Sequence, residues 1–360
     1  MDIVGFEKKY HNFYAPVFQI NVDGKELAEE GVEVTDTTVD ISLDSADHFS
    51  FSINNPYDVG KKEFKWLDND MFETGKEVEI RMGYLSTLTT MILGQISSVR
   101  PTFPSSGIPQ MEISGYDLSQ QMMKSKKPNS WPEMTDSDVV KDIASSYNLK
   151  TSHVEDTKTK YPKIIKDEDS DFHFIKKLAD RNGYEFFVRE NNIFFRVPKN
   201  DRKEIAVLKW GESLNSFSPE LNVANQVSEI EVRHWDPKTK KQIVARAKKG
   251  DEHGRDSGKK SGGDLVEKTA KGAVVKVIRI PVNSKEEAEK IAKAALDKLA
   301  EGLIKGSGEC IGLPDIVAGE NIRLEGLGKK FSRTYYLEKA THTISSSGYT
   351  TTFDIKENTI

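Results

Sequence analysis

The sequence predicts an α+β protein that is mainly β, with two similar antiparallel β-barrel modules in one chain and small α/β segments inserted around them. The first observation is a repeat: Gly75, Val78, Ile80 and Leu93 in GKEVEIRMGYLSTLTTMIL match Gly319, Ile322, Leu324 and Leu337 in GENIRLEGLGKKFSRTYYL at constant separation. The second is that both copies continue alike, through one more alternating strand, a turn at Ser106-Gly107 or Ser347-Gly348, and a last strand, MEISGY or TTFDI. The third is that helical periodicity is confined to the stretch between the copies. Three copies of a chain with two alike modules can close a ring of six, which is one way to join threefold to sixfold symmetry.

Residues 1–120 are expected to form the first tube-like barrel. VFQINVDG alternates and stops at the turn dipeptide Asp23-Gly24, VEVTDTTVDISLD and FSFSIN continue with period two, and Asn54-Asn55-Pro56 closes the run. Many short alternating strands need closure to protect their edges. Residues 121–200 read as a small α/β domain. QQMMKSKKPNSWP is a polar, proline-punctuated connector; Thr135 caps a helix carrying Val139, Val140, Ile143, Ala144 and Tyr147. A second helix from about Ser170 to Asn182 buries Phe172, Ile175, Leu178 and Ala179 and ends at Gly183, and YEFFVRENNIFFRVP turns at Asn191-Asn192 as a hairpin.

Residues 201–235 and 308–360 are assigned to the second barrel, from the strand signals in IAVLKW, QVSEIEVRHW and the repeat. Residues 236–307 are an insertion. KKGDEHGRDSGKKSGGD, poor in apolar side chains, is expected as a long mobile loop. A helix at 284–303 follows, with a capping box from Ser284 and Glu287 and a stripe of Ala288, Ile291, Ala292, Ala295 and Leu299.

Composition narrows the function. A 360-residue chain suggests about two to four domains. A net charge of −5 weighs against a protein that works by neutralising nucleic-acid phosphates. The single cysteine, Cys310, excludes an intrachain disulfide and a thiolate zinc site, and fits synthesis in a reducing cytoplasm. MDIVGFEKKYHNFYAP lacks the roughly 7–15-residue apolar run of a signal peptide, and no stretch approaches the ~20 apolar residues of a membrane span.

Candidate chemistry is sparse. The histidines at 11, 48, 153, 173, 234, 253 and 342 include no i, i+4 zinc pair, and His173 and His342 read as satisfied or surface residues. No Gly-x-Ser-x-Gly elbow or phosphate-cradling Gly-x-x-x-x-Gly-Lys loop occurs. Glu168, Asp169 and Asp171 lie ahead of a helix start, where capping explains them better than acid–base work. Cys310 reads as a small core residue, and Trp66, Trp131, Trp210 and Trp235 as core packing. The lysines from Lys248 to Lys271 are interleaved with Asp251, Glu252, Asp256 and Asp264, so a solvated loop is preferred to a nucleic-acid contact. No catalytic, cofactor-binding or metal-binding residue is assigned, and no cofactor.

Several segments resemble one family, the late control protein D family of phage tails, which also resembles the hub portion of type VI secretion VgrG spike proteins. SDFHFIKKLADRNGYEFFV (170–188) resembles its helix-Gly-aromatic strand signature, and VSEIEVRHWDPKTKKQI (227–243) its strand with a Trp-Asp-Pro turn. GLPDIVAGENIRLEGLGKKFSRTYYLEKATHTISSSGYTTTFDI (312–355) is the most specific match. The resemblance implies a homotrimeric baseplate hub, whose two barrels per chain make a pseudo-sixfold ring meeting the tail tube, with a threefold spike on the other side. VgrG chains continue into an oligonucleotide/oligosaccharide-binding-fold neck and a needle. The end at Ile360 implies a separate spike protein. Such a hub would assemble in bacterial or archaeal cytoplasm and then belong to a virion, tailocin or injection particle. A further expectation is a neutral or negative lumen. The alternatives are a peptidoglycan-active tail-tip enzyme, which would need a positioned carboxylate pair or a zinc or Cys/His site, and a cell-wall binding module, because DVVKDIASSYNLKTSHV faintly resembles a LysM-like helix start.

Overall fold

The computed structural model describes residues 1–237, 239–256 and 258–360. Lys238, in the segment after the Trp-Asp-Pro turn, and Ser257, in the Lys/Gly-rich loop, lie outside the described residues. The dominant element is one 13-stranded sheet that runs through both copies of the repeat. Its first part contains β1 (Pro16–Val22), β2 (Val34–Ser42), β3 (His48–Asn54), β4 (Glu77–Tyr84), β5 (Thr87–Thr102) and β6 (Gln110–Asp117). The second contains β7 (Ala206–Lys209), β8 (Leu214–Leu221), β9 (Ile304–Ile311), β10 (Asn321–Glu325), β11 (Arg333–Ser345) and β12 (Gly348–Glu357).

The two parts share one pairing scheme. Strands run in the order β2-β3-β6-β5-β4-β1 in the first, and β8-β9-β12-β11-β10-β7 in the second, all antiparallel except the pair β7 and β10. Even the irregularities repeat. β5 shifts register between Ile96 and Ser98 and β11 between Leu337 and Lys339, while β2 shifts between Val34 and Asp36 and β8 between Leu214 and Ser216. A bulge bends and twists its strand, so its recurrence at matched positions means the two modules curl alike.

The repeat is therefore deeper than the sequence match, and one of its pairs is wrong. Gly75 N–H donates to Ile96 O at 2.8 Å and Gly319 N–H to Leu337 O at 2.9 Å; the reverse bonds are Ile96 N–H to Lys76 O and Leu337 N–H to Glu320 O, both 2.9 Å. Both glycines have positive φ, 93° and 85°, which accounts for glycine at each. Leu337 thus corresponds to Ile96. Leu93, opposite Glu79, corresponds to Thr334, opposite Arg323. The second hairpin is the shorter, and matching at constant separation slid past that deletion.

Residues 118–197 have their own apolar core. Thr135 and Ser170 accept hydrogen bonds from Asp138 N–H and His173 N–H, starting helices Asp136–Ser146 and Asp171–Asn182, and Gly183 ends the second at φ 67°. Val139, Val140, Ile143, Phe172, Ile175 and Leu178 pack against the hairpin strands Glu185–Arg189 and Asn192–Arg196. The expected connector is partly regular, with a short helix Gln120–Lys124 and a strand Asn129–Thr135 paired to Lys160–Lys166.

Three other expectations need correction. Strand Glu229–Asp236, assigned to the second barrel, pairs instead with Lys241–Lys248 and Val275–Arg279 in a separate three-stranded sheet. Helix Lys285–Ala300 covers that sheet, burying Ala288, Ala292 and Leu296 against Ile230, Val232, Ala245 and Ala247. Within the expected mobile loop, Ser261 and Asp264 form a reciprocal capping box for helix Gly262–Ala270. At Ser284 the box is not reciprocal, since Glu287 accepts from Asn283 N–H instead. Finally, the N-terminal helix Ile3–Lys9 docks on the second module. The Met1 amino group donates to Ile205 O at 2.7 Å, and Tyr10 Oη and Lys9 Nζ each lie 2.5 Å from Asp315.

Candidate functional site

The two modules meet along a strand seam. Lys339–Ile344 of β11 pair antiparallel with Ser42–Thr37 of β2, so the half of β11 beyond its bulge carries the first module on its outer edge. Side chains reinforce this ladder. The Thr38 and Thr343 hydroxyls are 3.2 Å apart, Thr341 donates to Asp40 at 2.5 Å, and Lys339 lies 3.1 Å from the same carboxylate. Burial pushes the Asp40 carboxyl up, but hydrogen bonds from His48, Thr341 and Lys339 outweigh it and hold the group well below the usual range. Apolar Ile41, Ala340 and Ile344 are buried in the seam.

His342 sits mid-seam with its ring satisfied. Its Nε2 is 2.9 Å from Ile316 O, which fixes that nitrogen as the donor, and Nδ1 accepts from Tyr349 Oη at 2.9 Å. Burial lowers its pKa to about 4, against the backbone bond to Ile316, so the ring is neutral at pH 7.

Beside the seam, a buried polar junction ties the α/β unit to both modules. Arg196 Nε donates to Glu185 at 2.7 Å, Arg196 also reaches Gly319 O at 3.3 Å, and Tyr336 Oη donates to Glu185 at 2.6 Å. Arg189 donates to Ala318 O at 2.8 Å. From the first module come Asp47 and Asp117, with Asp47 N–H donating to Asp117 at 3.3 Å. Burial raises both carboxyls, and the neighbouring Asp117 charge adds to the effect at Asp47; Arg189 opposes it. The three bodies are thus held by groups that are expensive to leave unpaired.

The sequence candidates do not converge. Asp169 pairs with Lys177 at 2.6 Å, and Asp171 pairs with Lys166 and accepts from Tyr147 at 2.6 Å, so both serve a helix start capped by Ser170. Cys310 is fully buried, and burial pushes its thiol far up. The lysines of the Lys/Gly-rich segment meet their interleaved acids: Lys249 lies 3.3 Å from Asp264 and 2.5 Å from Glu267, and Lys259 is 3.1 Å from Asp256. The tryptophan expectation divides. Trp66 and Trp131 are core residues, whereas Trp210 and Trp235 are each 59% exposed. Strand periodicity could not separate these pairs, because Trp210 and Trp235 lie at strand ends, and Trp66 and Trp131 lie in segments without a readable alternation.

Among the described residues no group of three or more His, Cys, Asp or Glu is arranged to hold a metal, and no helix is long and apolar enough to cross a membrane. A groove between the α/β unit, helix Lys285–Ala300 and the second module is laced by ion pairs, Lys176–Asp44 at 2.6 Å, Lys298–Asp180 at 3.1 Å and Lys356–Glu301 at 2.7 Å. Its charges are committed to one another. What the arrangement does is hold bodies in register.

A family model, described as Alg8 N-terminal domain, matches residues 14–346. The chain belongs to that family. It is 24% identical over 273 residues, 65% of this chain and 67% of the relative, to a probable baseplate hub protein of Escherichia phage 186. Among solved structures it shares its fold with the 43 kDa tail protein of prophage MuSo2 from Shewanella oneidensis, with a TM-score of 0.73 and 11% identity, covering 95% of this chain and 98% of that one. It also shares it with the E. coli c3393 protein, a type VI secretion component described as similar to T4 tail proteins gp27 and gp5; the TM-score is 0.58 at 10% identity, covering 93% and 76%. The mainly β, α+β class and the resemblance to phage baseplate hubs both hold.

Proposed function

We propose that this protein is a structural baseplate hub of a contractile tail or injection system. In this reading three copies form a pseudo-sixfold ring of tube-like modules, one face meeting the tail tube and the other a separate spike protein. The observation that carries it is the duplicated module: two six-stranded frameworks with matched bulges, already joined edge to edge within one chain. Similarity to a probable baseplate hub protein and to phage tail folds supports the same reading. The mechanism is geometric: strand edges carry load between modules, and the polar junction fixes the α/β unit beside them.

Native mass measurement of the full chain, alone and with the neighbouring spike protein, tests it. A trimer, or a trimer that forms on adding the spike, is expected; a monomer under every condition overturns it. Incubation with peptidoglycan separates this reading from a tail-tip enzyme, and measurable lysis would overturn the purely structural role.

A further inference from the structure

The seam inside the chain has a counterpart with only one side filled. β11 pairs with β10 before its bulge and with β2 after it, and on the other edge it pairs with β12 from Tyr336 to Ser345. β5 repeats this half-way. Thr87–Gln95 pair with β4, and Gly94–Thr102 pair with β6, but among the described residues Ser98–Thr102 have no strand on the outer edge. The counterpart of β2 is β8, which pairs along its length with β9 and, among the described residues, has beyond that only an isolated bridge from Leu214 to Trp210. The structure therefore presents one unpaired acceptor edge and one unpaired donor edge, belonging to modules whose equivalent edges are joined.

We propose that β8 of one chain pairs with the outer edge of β5 of the next, in the register of the β2–β11 seam. This rests on the ring reading and names the contact that closes it. The matched bulges transfer the register residue by residue. Lys339, Thr341 and Thr343 correspond to Ser98, Arg100 and Thr102; Ser42, Asp40 and Thr38 correspond to Asn222, Glu220 and Ser218. Arg100 then faces Glu220, where the inner seam has Thr341 on Asp40, and Thr102 faces Ser218, where the inner seam has the Thr343–Thr38 hydroxyl pair. Charge and hydrogen-bonding character both carry over, although of the six residues only the threonine at 343 and 102 is retained. In the isolated chain Arg100 lies 3.2 Å from Glu112 on the next strand and its side chain remains 74% exposed, so it can reach across.

Apolar positions agree. Phe103, 57% exposed, corresponds to Ile344, which is buried, and faces Phe217 in the transferred register. Val99 and Leu221 are half-buried where their counterparts Ala340 and Ile41 are buried. Pairing would cover all four.

Both edges carry a proline at matched positions. Leu43 N–H donates to Glu338 O, so by alternation Val39 and His342 exchange both ladder bonds. Their counterparts are Pro219 and Pro101. Asn222 N–H donates inward to Leu303 O, which places the Pro219 nitrogen on the free edge. An arbitrary strand laid on either edge would leave one of its carbonyls facing a proline ring with no N–H to accept from. Proline opposite proline forgoes two ladder bonds but confines both unpaired carbonyls to one position, while the pairs Val99–Leu221 and Phe103–Phe217 keep theirs.

The test is a cross-link read out by size. Thr102 and Ser218 would form a non-hydrogen-bonded pair with Cα atoms about 4.5 Å apart, within disulfide reach. The full chain carrying both Thr102→Cys and Ser218→Cys should give a covalent trimer on mild oxidation. Either single variant, or Thr102→Cys with Asn222→Cys, should give none. Cys310 is buried and does not compete. Arg100→Glu should lower the trimer fraction several-fold at low salt, and adding Glu220→Arg should restore it. A native trimer without the 102–218 cross-link overturns the pairing and leaves the ring standing. A ladder of open oligomers supports the pairing and overturns the three-chain closure. A monomer with no cross-link at any concentration overturns both.

Discussion

The two modules repeat a backbone while exchanging the side chains that fill it. In the first, Phe49 on β3 faces Gly115 on β6, and Gly94 on β5 also lies against the Phe49 ring. In the second, the three equivalent positions are Gly306, Ile355 and Tyr335. The large side chain has moved from the one strand to the next two along the sheet. Next along the strands, Phe51 with Ile113 is answered by Gly308 with Phe353, whose ring fills the space a Cβ at 308 would enter. The two modules keep strand order and the matched bulges of β2/β8 and β5/β11, and let individual residues trade within a packed interior. The modules differ most where the backbone is free to vary: β2 reaches β3 through residues 43–47, whereas β8 reaches β9 only after the whole inserted unit between 222 and 303.

The largest difference between the modules to exploit is the polar lock. Gly319 O accepts from Arg196, whereas the equivalent Gly75 has open space around it. Arg196→Ala leaves Glu185 buried without its cation and should cost about 3–5 kcal/mol in chemical denaturation. Hydrogen exchange should place that loss in the second module and the α/β unit. Equal loss across β3 and β6 would show that the modules do not differ in this way.

Next is the exchanged glycine. A Cβ at Gly115 would overlap the Gln95 carbonyl oxygen, a backbone atom that cannot move alone, whereas at Gly308 it would meet the end of the Phe353 ring at 2.5 Å. Gly115→Ala is expected to cost about 3 kcal/mol and Gly308→Ala about 1 kcal/mol, read from denaturation midpoints. Equal costs would mean that the two cores are packed by the same rule.

Side-chain trading explains what could be read from the sequence. The strand alternation of β2, β3, β10 and β12 and the caps at Thr135 and Ser170 are local signals and were legible. The equivalence of β3 with β9 was not, because HFSFSIN and IKGSGECI share a pairing role and almost no residue type. Nor was the membership of Glu229–Asp236. Its alternation is that of any half-buried strand, and only the partners Lys241–Lys248 and Val275–Arg279 decide its sheet. The seam was invisible for the same reason, since strand pairing at long range leaves no periodic trace. The docked N-terminal helix is short, with one buried side chain, Phe6, too little to stand out.

A titration distinguishes the modules as well. His342 has Pro101 as its counterpart, so only the second module carries a buried imidazole in that strand. Its folded pKa, about 4, lies below the ordinary 6.5, so the unfolded chain binds the proton more readily, and stability falls as pH drops from about 6.5 towards 4. At pH 4.5 the loss from this group is on the order of 2–3 kcal/mol relative to neutral pH. The Asp47–Asp117 pair, with raised carboxyls, acts in the opposite sense over an overlapping range, but it is common to wild type and variant and cancels in their difference. The difference in stability between wild type and His342→Gln, followed from pH 7.5 to 4.5, should therefore move in the variant's favour by about that amount. A flat difference would mean that the imidazole already binds its proton in the seam.

The smallest effect asks what holds the seam itself. Lys339 reaches Asp40 at 3.1 Å across the ladder, and its counterpart Ser98 carries no charge, so the ion pair is an addition to a framework that both modules share. Both partners keep contact with water, with side chains 42% and 29% exposed. An exposed pair of this kind contributes about 0.5 kcal/mol, and at 1 M salt, where screening acts within about 3 Å, it contributes almost nothing. Lys339→Ala should therefore lower stability by about 0.5 kcal/mol at low salt and by less than the error of measurement at high salt. A loss of more than about 1.5 kcal/mol that persists in salt would mean that the lysine stem packs the seam, and that the inner joint depends on a side chain its outer counterpart lacks.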